Sequence, residues 1–279
     1  MNQILTDQNK LNQILEAIKA DGLDQLHIVA DFDRTLTKAK IRGDKYASVF
    51  GQIRNSDYLG QDYKFKADQF FNKYRPIEID PNLSVQEKSH HMHQWWIEHF
   101  ELAQQSGLTQ QILTKVLDES KIQFRENCDH VLNLLAKHDI PLVIMSAGLS
   151  FGVEYLLKRE GLLSDNIHII SNELEFDEQG TMLRAKEPII HSMNKHETEI
   201  ENQLYFKHIQ HRPNVILLGD SLGDLGMIAG FKTKNLLKIG FLNEVSDASI
   251  SQFTQHFDVV LLDDAPMDYL HELLNTLFF

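Results

Sequence analysis

The chain contains one cysteine, Cys128, in 279 residues. A single thiol can neither close an intrachain disulfide nor build a thiolate zinc site, so a reducing compartment is expected. Its neighbours Phe124, Val131, Leu132 and Leu135 suggest a packed, inert helical position. Positive charge is scarce too: 27 Lys and Arg face 40 Asp and Glu, a formal net charge of −13. Binding a phosphate backbone needs a dense basic surface, so a nucleic-acid polymer is not the expected ligand. One nucleotide is still admissible, because one cation and one lysine can hold one phosphate. No apolar run approaches the roughly 18 residues of a membrane span. The opening Met1-Asn2-Gln3-Ile4-Leu5-Thr6-Asp7 lacks the basic and apolar regions of a secretion signal. The expectation is a cytoplasmic monomer with neither membrane nor polymer partner.

What is present is enough to fold. Hydrophobic residues make up 42%, too many for a disordered chain. The length suits one large domain, or a core with an inserted subdomain. Leu11, Ile14, Leu15 and Ile18 follow helical spacing up to a stop at Gly22, and residues 26–30 read as the first strand. Residues 43–63 show no clear period and read as a loop or crossover. Residues 65–74 and 85–102 read as helices, joined by an irregular, proline-bounded stretch over 75–81. From residue 121 the pattern changes to strand–helix alternation, with strands at 142–145, 167–170, 215–218, 236–239 and 259–262. A hairpin is read over 174–184 and a polar helix over 197–209. The expectation is an α/β fold: a doubly wound, mostly parallel, Rossmann-like sheet formed by 1–42 and 120–279, with 43–119 as an inserted helical cap.

In such a sheet, ligands bind beyond the carboxyl ends of the strands, where strand order reverses. Three polar clusters directly follow apolar strands: Asp31-Phe32-Asp33-Arg34-Thr35, Ser146-Ala147-Gly148, and Gly219-Asp220-Ser221-Leu222-Gly223-Asp224. Strand side chains at i and i+2 share a face, so Asp31 and Asp33 are expected to enter the crevice together. Like charges held close are costly unless a cation lies between them, and a hard cation such as Mg²⁺ suits carboxylate oxygen. Alone, each cluster has a blander reading, as a solvated turn or a helix cap. Lys195 begins a polar stretch and gains meaning only if several carboxylates and a phosphate already share the crevice. His90, His91, His93 and His99 lack the carboxylate pattern of a zinc site.

The DxDxT motif, the later serine and lysine, and GDSxGD together resemble the haloacid dehalogenase superfamily of phosphohydrolases. Tyr74-Arg75-Pro76-Ile77-Glu78-Ile79-Asp80-Pro81, Met92-His93-Gln94-Trp95-Trp96, Ile190-His191-Ser192-Met193-Asn194-Lys195 and Leu237-Lys238-Ile239-Gly240-Phe241-Leu242-Asn243 are similar to the cytosolic 5′-nucleotidase III (pyrimidine 5′-nucleotidase) family. The likeness runs from about residue 11 to the C-terminus. Arg34 stands where that family usually has methionine, and His99-Phe100 where members often have serine or alanine followed by histidine.

The resemblance implies a Mg²⁺-dependent 5′-nucleotidase acting on nucleoside monophosphates such as CMP and UMP. It makes Asp31 the nucleophile, a choice that spacing alone leaves open between Asp31 and Asp33, and Asp33 the acid and base. Metal ligands would be Asp31, the Asp33 backbone carbonyl and Asp220, with Asp224 and Thr35 in support. Ser146, Ala147 and Lys195 would bind the phosphoryl group, and Glu78 and His99 would face the base from the cap. Trp95 and Trp96 are expected in the cap core, since helical neighbours point in different directions. A phosphatase of other small esters, a signalling receiver and an inactive nucleotide binder are the competing readings. A receiver needs only about 120 residues and no cap.

Overall fold

The structure, a computed structural model, describes residues 3–41, 43–45, 47–80, 82–195, 206–229 and 232–278. Strand β1 (Gln3–Leu5), helix α1 (Gln8–Asp21) and strand β2 (Leu26–Ala30) come first. A small hairpin, β3 (Lys40–Ile41) with β4 (Asp44–Lys45), precedes four helices: α2 (Val49–Asn55), α3 (Gly60–Ile79), α4 (Val85–Gln105) and α5 (Gln110–Glu119). Then come α6 (Cys128–Lys137), β5 (Leu142–Leu149), α7 (Ser150–Arg159), β6 (Ile167–Asn172) and a second hairpin, β7 (Leu174–Phe176) with β8 (Met182–Ala185). The chain closes with α8 (Phe206–Ile209), β9 (Asn214–Gly219), β10 (Asn235–Leu242), α9 (Asp247–His256), β11 (Val259–Leu262) and α10 (Asp268–Phe278).

Seven strands form one sheet in the order β1-β11-β10-β9-β2-β5-β6, parallel except for β1 at the edge. From β2 the chain builds outward through β5 and β6, then returns to β9 on the other side of β2. The order therefore reverses beside β2, and a crevice opens at its carboxyl end. All five residues of β2 are buried. That is why its sequence reads as an unbroken apolar run: helices cover both faces of a parallel sheet. Ile28 and Ala30 pack with Leu11, Ile18, Val131 and Leu156 on one face. Val29 packs with Val143, Leu217 and Met227 on the other. A separate core joins Phe50, Tyr63, Ala67, Phe100 and Leu113 of α2–α5 to Met182 of β8.

The strand and hairpin expectations from residue 121 onward agree with the structure, apart from ends that shift by a few residues. Two expectations do not. Residues 75–79 are helical rather than irregular, because α3 carries Pro76 inside its last turn. One missing donor near a helix end is affordable, and an i,i+3 ion pair from Arg75 to Glu78 spans the proline. Residues 43–63 contain β4 and α2, the latter capped by Ser48, whose hydroxyl accepts from Gly51 N at 3.2 Å. β1 was not anticipated. The polar helix expected over 197–209 falls largely outside the described residues, of which α8 is the remainder. Among the described residues, no helix is long and apolar enough to cross a membrane.

Candidate active site

The site starts where β2 and β9 stop. Asp31 still follows the sheet, its N–H donating to Leu218 O at 3.0 Å. The chain then leaves the strand in a tight turn that puts Arg34 at φ 66°, ψ 4°. Thr37 ties the turn, its hydroxyl accepting from Arg34 N at 2.9 Å. On the neighbouring strand, Gly219 is required by close approach: a Cβ there would lie 2.6 Å from Asp224 Cβ. Asp224 therefore folds back over its own turn, where Oδ2 accepts from Asp220 N at 3.1 Å, Ser221 N at 2.9 Å and Ser221 Oγ at 2.9 Å. Its Oδ1 accepts from Lys195 Nζ at 3.1 Å, and Lys195 also donates to Asp31 Oδ1.

One carboxylate oxygen from each of Asp31, Asp220 and Asp224 lies within 4.8 Å of the others. Three acids in so small a space repel one another. Burial pushes the Asp31 carboxyl well above the usual range, with Lys195 pulling it down and Asp224 and Asp220 pushing it up. Asp220 is raised to about 7, mainly by loss of solvent and next by Asp224, against Arg34, Lys195 and Arg125. Burial works against the charge of Lys195, yet Asp224 and Asp31 outweigh it and hold the ammonium above its ordinary value. One lysine is thus set against three acids. Hard oxygen donors, without imidazole or thiolate, suit a hard divalent ion such as Mg²⁺.

Asp33 does not join this triad, which corrects the expectation that both acids of DxDxT point the same way. Strand alternation ends at Ala30, and the Asp33 carboxylate turns toward α2, where Oδ1 accepts from Val49 N at 3.1 Å. Its other oxygen lies toward Gly148, 3.5 Å from where a Cβ at that position would stand. Burial raises its carboxyl above the usual range, against Val49 N, Lys195 and Arg34. Ser146 is buried beside it, its hydroxyl accepting from Gly148 N at 2.9 Å. Ala147 is half-buried, its carbonyl accepting from Asn172 Nδ2 at 2.8 Å. Thr35 is fully buried, and its hydroxyl has no hydrogen-bond partner among the described residues.

The two base-facing candidates diverge. Glu78, on the last turn of α3, reaches the loop that carries Lys195: Ser192 Oγ donates to its Oε1 at 2.7 Å, and Arg75 donates to Oε2. His99 is only 5% exposed and sits among the aromatic residues of the helical segment. Its Nε2 lies 3.1 Å from the Tyr63 hydroxyl and its ring 4.6 Å from Phe50. Burial lowers it to about 3, so it is neutral. The expectation of a ring presented to the crevice is corrected: the apolar partners on α2 and α3 enclose it. Trp96, half-buried, packs on Phe50 at 4.9 Å against the helical core, while Trp95, also half-buried, stacks on Tyr74 at 5.7 Å outside it.

Two further residues border the site without a role assigned to them from the sequence. Arg125, between α5 and α6, is 2% exposed and binds the turn after β2. Asn243, just past β10, donates to Arg34 O at 3.0 Å and to Asp220 Oδ2 at 3.5 Å. Neither lies in an acid–hydroxyl motif; Asn243 ends the 237–243 stretch that carries the family resemblance, whereas nothing local to Arg125 singles it out.

The pyrimidine 5′-nucleotidase (UMPH-1) family model matches residues 34–278. The chain is 34% identical over 272 residues to the 7-methylguanosine phosphate-specific 5′-nucleotidase A of Xenopus laevis, covering 97% of this chain and 94% of that protein. It is also 34% identical over 273 residues to the 7-methylguanosine phosphate-specific 5′-nucleotidase of Homo sapiens, covering 98% and 91%. The structure of cytosolic 5′-nucleotidase IIIB bound to cytidine matches with a TM-score of 0.91 at 30% identity, over 99% of this chain and 94% of that one. A phosphoserine phosphatase, solved as a phospho-aspartyl intermediate analogue, shares the fold at a TM-score of 0.55 and 16% identity, over 90% and 97%. With acids and a lysine gathered at the sheet's switch point and these matches along nearly its whole length, the chain belongs to the pyrimidine 5′-nucleotidase (UMPH-1) family, hydrolases of phosphomonoesters.

Proposed function

We propose that this protein is a Mg²⁺-dependent 5′-nucleotidase that hydrolyses nucleoside 5′-monophosphates, CMP and UMP among them, through an aspartyl-phosphate on Asp31. The observation that carries the reading is the meeting of Asp31, Asp220 and Asp224 within 4.8 Å, with Lys195 donating to two of them. Asp31, Asp220 and the Asp33 carbonyl would hold the ion, with Asp224 close by. When bound, Mg²⁺ supplies positive charge that offsets the acids and withdraws electron density from the phosphoryl oxygens.

The chain's own groups do the rest. Asp31 attacks phosphorus, the bond from phosphorus to O5′ breaks, and O5′ takes a proton from Asp33. Burial holds the Asp33 carboxyl above the usual range, which suits a group that must arrive protonated. Water then attacks the phosphorus of the aspartyl-phosphate and gives its proton to Asp33. The bond to Asp31 breaks, and phosphate leaves. Lys195, Ser146 and the Ala147 backbone bind the phosphoryl oxygens, while Lys195 also screens Asp31 from Asp224. Asp224 and Thr35 support the two strand tips.

Residues 43–119 act as a cap over a core of 1–42 and 120–279. Glu78 reaches out of that cap toward Ser192, and its carboxylate would accept from an exocyclic amine such as that of cytosine. The names of the Xenopus and human relatives favour 7-methylguanosine monophosphate as a second substrate.

The test is phosphate release from each nucleoside monophosphate, 7-methylguanosine monophosphate included, with Mg²⁺ and with EDTA. Release confined to nucleotides and stopped by EDTA supports the proposal. Equal turnover of sugar phosphates removes the nucleotidase reading.

A further inference from the structure

We propose that Arg125 is a positioning residue of this site: it sets the geometry of the acids by clamping the turns that follow β2, β10 and β11. The inference rests on the nucleotidase reading above. Its guanidinium has no side-chain exposure. All its donors are used, Nε toward Thr35 O at 2.7 Å and Nη1 toward Asp264 Oδ1 at 3.0 Å and Ala265 O at 2.8 Å. Nη2 donates to Arg34 O and, at 2.7 Å, to Asn243 Oδ1. The plane lies 4.3 Å from the centroid of the Phe241 ring.

These partners matter because of what they carry. Arg34 and Thr35 form the turn that directly follows Asp33, and Arg34 holds a left-handed backbone, φ 66°. Such a conformation is unfavourable outside glycine and persists only where the surroundings impose it. Arg125 and Asn243 impose it by both donating to the Arg34 carbonyl. The Asn243 amide then reaches Asp220 Oδ2, so one guanidinium is linked to the acids of both strand tips. Asp264 extends the clamp, accepting from Ala39 N at 2.8 Å and Lys40 N at 3.2 Å. A planar fork of five donors can serve this many acceptors, whereas a lysine ammonium cannot.

Arg212 provides the internal control, because it grips the opposite end of the same strand. It donates to Leu23 O and Leu26 O, both at 3.0 Å, and no acid of the cluster is near that end.

The experiment compares Arg125→Lys, Asn243→Ala and Arg212→Lys for kcat and KM with CMP, for Mg²⁺ affinity by calorimetry and for Tm. Changes to groups that orient metal ligands cost about 10–100-fold. Arg125→Lys and Asn243→Ala should each weaken Mg²⁺ binding and lower kcat by about that factor, while KM for CMP moves much less. Arg212→Lys should lower Tm alone. If Arg125→Lys does not fold, Asn243→Ala decides the matter, since it removes the link to Asp220 and leaves the guanidinium in place. Wild-type Mg²⁺ affinity and kcat in Asn243→Ala and in any folded Arg125→Lys overturns the proposal, as does an equal loss in Arg212→Lys. Should the wild type bind Mg²⁺ but fail to hydrolyse nucleotides, the functional reading falls while the affinity comparison still decides Arg125. A wild type that binds no Mg²⁺ overturns both.

Discussion

Replacing His99 with glutamine should change how stability responds to acid. The ring is enclosed by Phe50, Tyr63 and Phe70. Burial first, and then Arg54, lowers its pKa from 6.5 to about 3. In the unfolded chain the imidazole gains its proton near 6.5, whereas in the folded chain it stays neutral until about 3. Between those values the unfolded state binds more protons, so stability falls as pH falls, and above 6.5 this residue contributes no pH dependence. The slope is about 1.4 kcal/mol per pH unit. At pH 5, roughly 1.5 units below the unfolded value, wild type has lost about 2 kcal/mol that His99→Gln never loses. The variant pays a packing cost at pH 7, and that deficit should shrink by about 2 kcal/mol at pH 5. Urea unfolding at both pH values, followed by circular dichroism, measures it. A deficit that stays the same to within about 0.5 kcal/mol would refute the buried, neutral assignment. Wild type and variant should also differ less than about threefold in KM for CMP, because a buried ring offers the base no hydrogen bond and forgoes the tenfold that about 1.4 kcal/mol of contact would give.

Asp31→Asn should lower kcat by about 10⁴ or more, as expected for a lost nucleophile, while CMP still binds by calorimetry; residual turnover near wild type would transfer the role to Asp33. Gly219→Ala places a Cβ 2.6 Å from Asp224 Cβ, so Asp224 must move and release Asp220 N and Ser221 N. It should cost about 1–3 kcal/mol in urea unfolding and weaken Mg²⁺ binding; unchanged Mg²⁺ affinity would contradict the crowding argument. Glu78→Gln removes the charge paired with Arg75 and should raise KM for CMP about tenfold, the cost of one weakened charge-assisted hydrogen bond. Because the proposed contact is to the cytosine amine, KM for UMP should rise less.

The sheet was readable because parallel strands covered on both faces need apolar residues at every position. β2, β5 and β9 each appear as such a run, and each ends in acids or small hydroxyl residues. Where helix ends or short pairings decide the structure, the signal is weaker. β1 is three residues long and is held by its pairing with Leu261, Val260 and Val259, partners more than 250 positions away. Pro76 looked like a helix terminator, yet α3 continues past it because Tyr74 is stacked on Trp95 and Arg75 pairs with Glu78. One tertiary stack and one local ion pair thus accompany the absent N–H.

The site divides along the same line. Residue type told which groups could meet, since acids, lysine and serine after three strands have few other reasons to coincide. Direction was not readable. Strand alternation treats Asp31 and Asp33 alike, but the strand ends at Ala30, and one carboxylate meets Asp220 while the other accepts from Val49 N, just before a left-handed turn at Arg34. No glycine marks that turn. It is imposed from a distance by Arg125 and Asn243, whose partners there are backbone carbonyls, and every residue supplies a carbonyl regardless of its side chain. The turn that follows the two acids is therefore held by contacts spanning 91 and 209 positions along the chain. A motif of five residues states which acids are present, but the partner that each carboxylate meets is set by the folded chain.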